Sequence, residues 1–176
     1  DHLYEVHGAR RFAFISGPAE HESAQDRARA FLDFHRRRGL AADGRLMSSP
    51  RPWNEGAAAV KELLDDRRLI PGRDFDALLA ASDLQLYEAV QVLQSRGCLI
   101  PQDLRVAGFN DSVESRIASP SFTTVHLPFD DQARLAFTDL LSLLAGEEVP
   151  PERSLECRLV LRRSCGCLSP SVIAAG

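Results

Sequence analysis

Two polar pairs, Ser82-Asp83 and Asn110-Asp111, each close an apolar run, Leu78 to Ala81 and Leu104 to Phe109. Both runs read as strands, and in a parallel sheet both pairs would face the rim at the strands' carboxyl ends. Open α/β sheets bind small ligands at that rim. Side chains of these types hold polar molecules by hydrogen bonds, so the first expectation is ligand sensing rather than catalysis. Arg27 sits in the first turn of a helical pattern, where a cation opposes the helix dipole. It is either paired at the surface with Asp26 or Glu22 or placed there to meet a ligand. Trp53, the only tryptophan, follows Pro50-Arg51-Pro52 at the end of a weak strand. Its ring is either core or a face on which a ligand's apolar side can stack.

Reaction chemistry finds little support. There is no Gly-x-Ser-x-Gly elbow, no Gly-x-Gly-x-x-Gly turn and no phosphate loop. Asp76, Asp83 and Asp111 near strand ends leave a magnesium-dependent phosphoryl-transfer site as an enzymatic alternative. Cys165-Gly166-Cys167 could hold a metal only with ligands from elsewhere in the chain, and no metal site or cofactor is expected.

The elements that must position these residues alternate. Phe12 to Ser16 is a strand closed by Gly17-Pro18, and a helix follows with Ser23 and Asp26 as its capping box and Ala24, Ala28, Phe31, Leu32 and His35 as its stripe. Arg45 to Ser48 is a weak second strand. Asn54 caps a helix with Ala57, Val60, Leu63 and Leu64 facing inward. Phe75 to Ala80 is a buried strand, Ser82 and Gln85 cap the next helix, and Gly97 ends it. Leu104–Phe109, Phe122–His126 and Glu156–Leu161 are further strands, with a helix capped by Asp130 before the last. His2 to Gly8 resembles a last helical turn, as if the chain began mid-protein. Alternation at this spacing predicts an α/β fold, a three-layer α/β/α arrangement around a mostly parallel sheet.

Composition narrows the partners. A length of 176 residues suits one domain, and 44% hydrophobic residues suit an ordinary core. A net charge of -4, with Lys61 the only lysine, gives no whole-chain attraction to DNA or anionic membrane. The run Arg36-Arg37-Arg38 reads as a solvated helix end. No apolar run is long enough to span a bilayer, and no signal peptide is evident at the start, so a cytoplasmic setting with reduced cysteines is expected.

Taken in order, Gly17-Pro18, Arg27, Ala80-Ala81-Ser82-Asp83, Gly97 to Pro101, Gly108-Phe109-Asn110-Asp111 and Ser119-Pro120 before Thr123-Thr124-Val125 resemble the LacI/GalR transcription regulators. The match is to the C-terminal part of their effector-binding core, a periplasmic-binding-protein-like type I lobe. The resemblance implies a cleft between two lobes, of which this chain supplies the second, and a helix-turn-helix domain absent from it. It implies that Arg27, Ser82, Asp83, Asn110 and the apolar Phe129 bind the effector, with Trp53 near the family's stacking aromatic. Asn110 stands where the family usually has an aspartate, and Ser82 where an amide is common, so the ligand is a sugar-like polar molecule of unspecified identity. The resemblance further implies a homodimer and DNA contact only through the absent domain. It divides the chain into 1–128 in the lobe, 129–150 as a helix packed on the other lobe, 151–163 as a returning strand and 164–176 as tail or linker. The ending Arg162 to Cys167 also resembles sensors fused to diguanylate cyclases or histidine kinases, and a ligand-free dimerisation module is a third reading. Without its partner lobe, the apolar stripe of 129–146 is expected to repack on its own sheet or to enter a dimer.

Overall fold

The computed structural model describes residues 1–41 and 43–167. Strand β1 (Phe12–Ile15) pairs in parallel with β2 (Ala77–Ala80), and β2 with β3 (Arg105–Ala107). Parallel bridges Ala107↔Thr123 and Asn110↔His126 bring β4 (Thr124–His126) beside β3. The last strand, β5 (Arg158–Val160), runs antiparallel on β4. Four parallel strands thus end on one rim, as the alternation of runs and caps predicted.

Pleating sends successive side chains to opposite faces. Phe12 and Phe14 of β1 meet Phe31 and Phe34 of α2 (Glu22–Arg38), whereas Ala13 and Ile15 face the other side. There Val60 and Leu63, on and just beyond α3 (Gly56–Lys61), and Leu86, Val90 and Leu93 of α4 (Asp83–Ser95) close a larger core with Leu78 and Val106. Gly56 is required for the α3–α4 contact, because a Cβ there would lie 1.9 Å from the Gln85 carbonyl oxygen. Two short helices, α1 (His2–Glu5) and α5 (Val113–Ile117), complete the layers.

The strand expected at Arg45–Ser48 is only a bridge between Met47 and Phe14. Asp43 accepts from the Arg45 N–H and winds Gly44–Leu46 into a 3₁₀ turn, which takes those residues out of the ladder. Three expected caps also differ. The helices begin after His21, Glu55 and Pro128 rather than with Ser23, Asn54 and Asp130 as caps. In each case a turn at a proline sets the entry: His21 N–H donates to the Pro18 carbonyl, Glu55 N–H to that of Pro52, and Pro128 itself precedes the last helix. Ser82 does cap α4, accepting from the Gln85 N–H at 3.2 Å.

Helix α6 (Phe129–Leu144) has no buried residue. Phe137, Leu140, Leu141 and Leu144 are all at least half exposed, so the stripe has not repacked on its own sheet. The tail also departs from expectation. A 3₁₀ turn spans Arg163–Cys165, and Ser164 and Cys165 are fully buried. Ser164 Oγ donates to the Val106 carbonyl at 2.7 Å and accepts from the Thr123 N–H at 2.9 Å. Residues 164–167 are therefore part of the lobe, and the remainder of the expected linker lies outside the described residues.

Candidate functional site

The loop carrying Trp53 is held from two directions. Buried Glu62 opens a π-turn (Glu62–Asp66) after α3, and its carboxylate accepts from the Ser49 N–H at 3.0 Å, from Ser49 Oγ at 2.8 Å and from Arg51. Burial pushes the Glu62 pKa up, but the Ser49 and Arg51 hydrogen bonds outweigh it and leave a net lowering. Gln85 Nε2 donates to the Ser16 carbonyl at 3.0 Å and to that of Pro52 at 3.3 Å. The loop is thereby tied to the end of β1. Trp53 lies over Gly17, where a Cβ would come within 2.7 Å of its ring.

Arg27 reaches the same place from α2. Its Nη1 donates to the Ala81 carbonyl at 2.6 Å, and its guanidinium carbon lies 3.9 Å from the centre of the Phe109 ring and 5.8 Å from Trp53. It makes no ion pair with Asp26, whose partner is Arg29. Burial lowers the Arg27 pKa and the Asp83 charge opposes that change. The half-buried cation sits between two aromatic faces at the carboxyl ends of β1 and β3.

Ser82 and Asp83 lie beneath this rim rather than on it. The Ser82 hydroxyl caps α4, and Asp83 is fully buried, with Oδ1 accepting from Thr124 Oγ1 at 2.7 Å and Oδ2 from the Ser112 N–H at 3.0 Å. Burial raises the Asp83 pKa, with the two hydrogen bonds working against it and the Asp111 charge with it. Gly108 makes room: a Cβ there would stand 2.0 Å from Asp83 Oδ1. The physical role of this carboxylate is to join β2, β4 and the loop after β3.

That loop carries Asn110 and Asp111 at φ 116° and 57°, a left-handed pair without glycine. Such residues are uncommon there, and asparagine and aspartate tolerate it best. The bend is fixed by the Asn110 N–H donating to the Val125 carbonyl at 2.9 Å and by Asp111, which binds Arg162 and His126. Burial acts to raise the Asp111 pKa, but these bonds outweigh it and hold the carboxyl below its usual range. Asn110 is half-buried on the rim, while Phe129, 56% exposed, opens α6 beyond β4. The structure thus gathers Arg27, Trp53 and Asn110 at the strand ends, adds Phe109, and sets Phe129 at the next connection. Phe109 was readable as the last apolar residue before the polar pair. Glu62 and Gln85 were readable only as helix residues, because their partners are 13 and up to 69 positions away.

The arrangement is an open polar rim with two aromatic faces, suited to holding a ligand with hydroxyl edges and apolar faces. Comparisons with known proteins agree on the fold. The helix-turn-helix transcriptional regulator CelR of Thermobifida fusca is 33% identical over 89% of this chain and 45% of its own length. A solved CelR–cellobiose complex superposes with a TM-score of 0.81 at 32% identity, over 92% of this chain and 48% of that one. A LacI-family regulator from Lactobacillus casei with bound sucrose gives a TM-score of 0.75 at 29% identity, over 90% of this chain and 58% of that one. The chain spans about half the length of the curated relatives it matches. The family model described as a periplasmic binding protein-like domain matches residues 1–165, and the chain belongs to that family, in its LacI/GalR regulator branch.

Proposed function

We propose that this chain is the second lobe of a two-lobed carbohydrate sensor that controls DNA binding by a helix-turn-helix domain elsewhere in the protein. The observation that carries it is Arg27, half-buried between Phe109 and Trp53 at the strand ends with one N–H committed to the Ala81 carbonyl. Guanidinium N–H groups supply donors in a fixed fork, and the aromatic faces suit the apolar faces of a sugar ring. Relatives solved with cellobiose and sucrose support a saccharide, and helix-turn-helix relatives favour a DNA-binding output over a fused cyclase or kinase.

In this reading Asn110 and Phe129 face the ligand, while Ser82 and Asp83 position the loops around it. The sensor is not an enzyme, works in the cytoplasm and acts as a homodimer. Among the described residues no helix is long and apolar enough to cross a membrane. Helix α6 packs on the first lobe, which covers its exposed apolar stripe, and β5 returns the chain to this lobe. A thermal-shift panel of sugars, sugar phosphates, nucleosides and polyols on the full-length protein tests the reading. A ligand at 100 times its Kd adds about 2.7 kcal/mol to stability. Stabilisation by a saccharide is the expected outcome, and stabilisation by Mg²⁺ alone would turn the reading toward phosphoryl transfer.

A further inference from the structure

Near the amino-terminal end of β3, where Gly166 packs against Arg105 and away from the strand ends that form the effector rim, four side chains from the two ends of the fold converge. His2 and His7 flank the short α1, and Cys165 and Cys167 flank Gly166 after β5. Their ligating atoms all lie within 4.8 Å of one another. The His2 and His7 Nε2 atoms are 3.2 Å apart, and each is 3.3 Å from Cys167 Sγ. In a tetrahedral zinc site the corresponding edges are about 3.3 Å between nitrogens, about 3.6 Å between nitrogen and sulfur and about 3.8 Å between sulfurs. Three of the four groups are thus already near that spacing. Cys165, whose Sγ now donates to the Arg162 carbonyl at 3.3 Å, needs a side-chain adjustment of about 1 Å.

The backbone is shaped for this meeting. Gly166 adopts φ 92°, a left-handed turn that lets both neighbouring cysteines approach the same point, and a Cβ there would touch the His7 ring at 3.6 Å. Cys165 is fully buried and the other three are half-buried, so the cluster is largely screened from water without being sealed. Two imidazoles with two thiolates select zinc over the oxygen-loving cations.

We propose that His2, His7, Cys165 and Cys167 form a zinc site that staples α1 to the turn after β5. The proposal does not rest on the effector reading, and none of its four ligands is a residue of the effector rim. On binding, each thiol gives up its proton and the sulfur lone pair becomes the bond to zinc, with no change in oxidation state. The consequence is mechanical. Strand β5 returns from α6 and pairs only with β4 among the described residues, so a staple just past it fixes the end of the segment that leaves and re-enters this lobe.

The test is cobalt(II) titration of the metal-free protein under a non-thiol reductant. The expected result is one cobalt per chain, with the intense red-region absorption of tetrahedral cobalt and thiolate-to-cobalt charge transfer in the near ultraviolet, both lost on adding zinc. Cys167→Ser and His7→Gln, at half-exposed positions, should each weaken binding at least about tenfold, whereas Cys98→Ser should leave it unchanged. No uptake, a pale octahedral spectrum without charge transfer, or uptake unaffected in both ligand variants would overturn the proposal. The wild-type spectrum decides even if a variant fails to fold, and circular dichroism of each variant separates lost ligation from lost structure.

Discussion

Asp83 Oδ1 accepts a 2.7 Å hydrogen bond from Thr124 Oγ1, which commits the carboxylate that opens α4, just past β2, to β4 instead of to solvent. Asp83→Ala leaves the buried Thr124 hydroxyl and the Ser112 N–H without their acceptor. The expected cost is about 1–3 kcal/mol in urea unfolding. Asp83→Asn keeps the shape and one acceptor while removing a charge that burial disfavours, and it should cost clearly less. Equal losses for the two substitutions would refute this account of the residue.

Asp111 should dominate part of the acid limb. Its folded pKa is depressed by Arg162 and His126 against the effect of burial. A depressed carboxyl contributes stability that is full above its unfolded pKa, about 3.9, and disappears as pH falls through the folded value. Asp111→Asn should therefore lower stability at neutral pH and flatten its fall below about pH 4. Asp83, whose pKa burial raises, acts with the opposite sign and loses stability as pH rises through its folded value. Urea midpoints measured from pH 3 to 7 in both variants check the two signs.

Gly17→Ala should move the single tryptophan. The added Cβ would stand 2.7 Å from the Trp53 ring and 2.8 Å from Ala24 Cβ, closer than carbon atoms tolerate. Trp53 fluorescence should shift to the red as the ring leaves its seat, with helical content unchanged. An unaltered emission maximum would mean that the ring is not held by Gly17.

The stripe on α6 should make this chain associate when it is alone. Phe137, Leu140, Leu141 and Leu144 are exposed together, and contiguous apolar patches of this kind rarely stay in water. Sedimentation should depend on concentration, and Leu141→Glu should abolish that dependence. A monomer at all concentrations would sink the proposal that another surface normally covers this helix.

Much of the fold was legible because its signals are local. Apolar runs ending in polar pairs marked β2 and β3, and Ser82 three residues before Gln85 marked the start of α4. The misplaced starts of α2, α3 and α6 share one cause, in that turns at Pro18, Pro52 and Pro128 override nearby capping residues. The site was half legible. A guanidinium at the wrong end of a helix singled out Arg27, but nothing local to Asp83 reveals that Thr124, 41 residues on, occupies its carboxylate. Likewise Cys165 and Cys167 meet His2 and His7 only through the closure of the whole chain.

The most direct measurement is calorimetric titration of the saccharide that best stabilises the full-length protein, repeated on Arg27→Ala. The native protein should give a saturable one-site isotherm, and the variant should lose at least tenfold in affinity, about 1.4 kcal/mol or more, with little change in unliganded stability. An unchanged isotherm in Arg27→Ala, or the absence of saccharide binding by the native protein, would contradict the sensor reading.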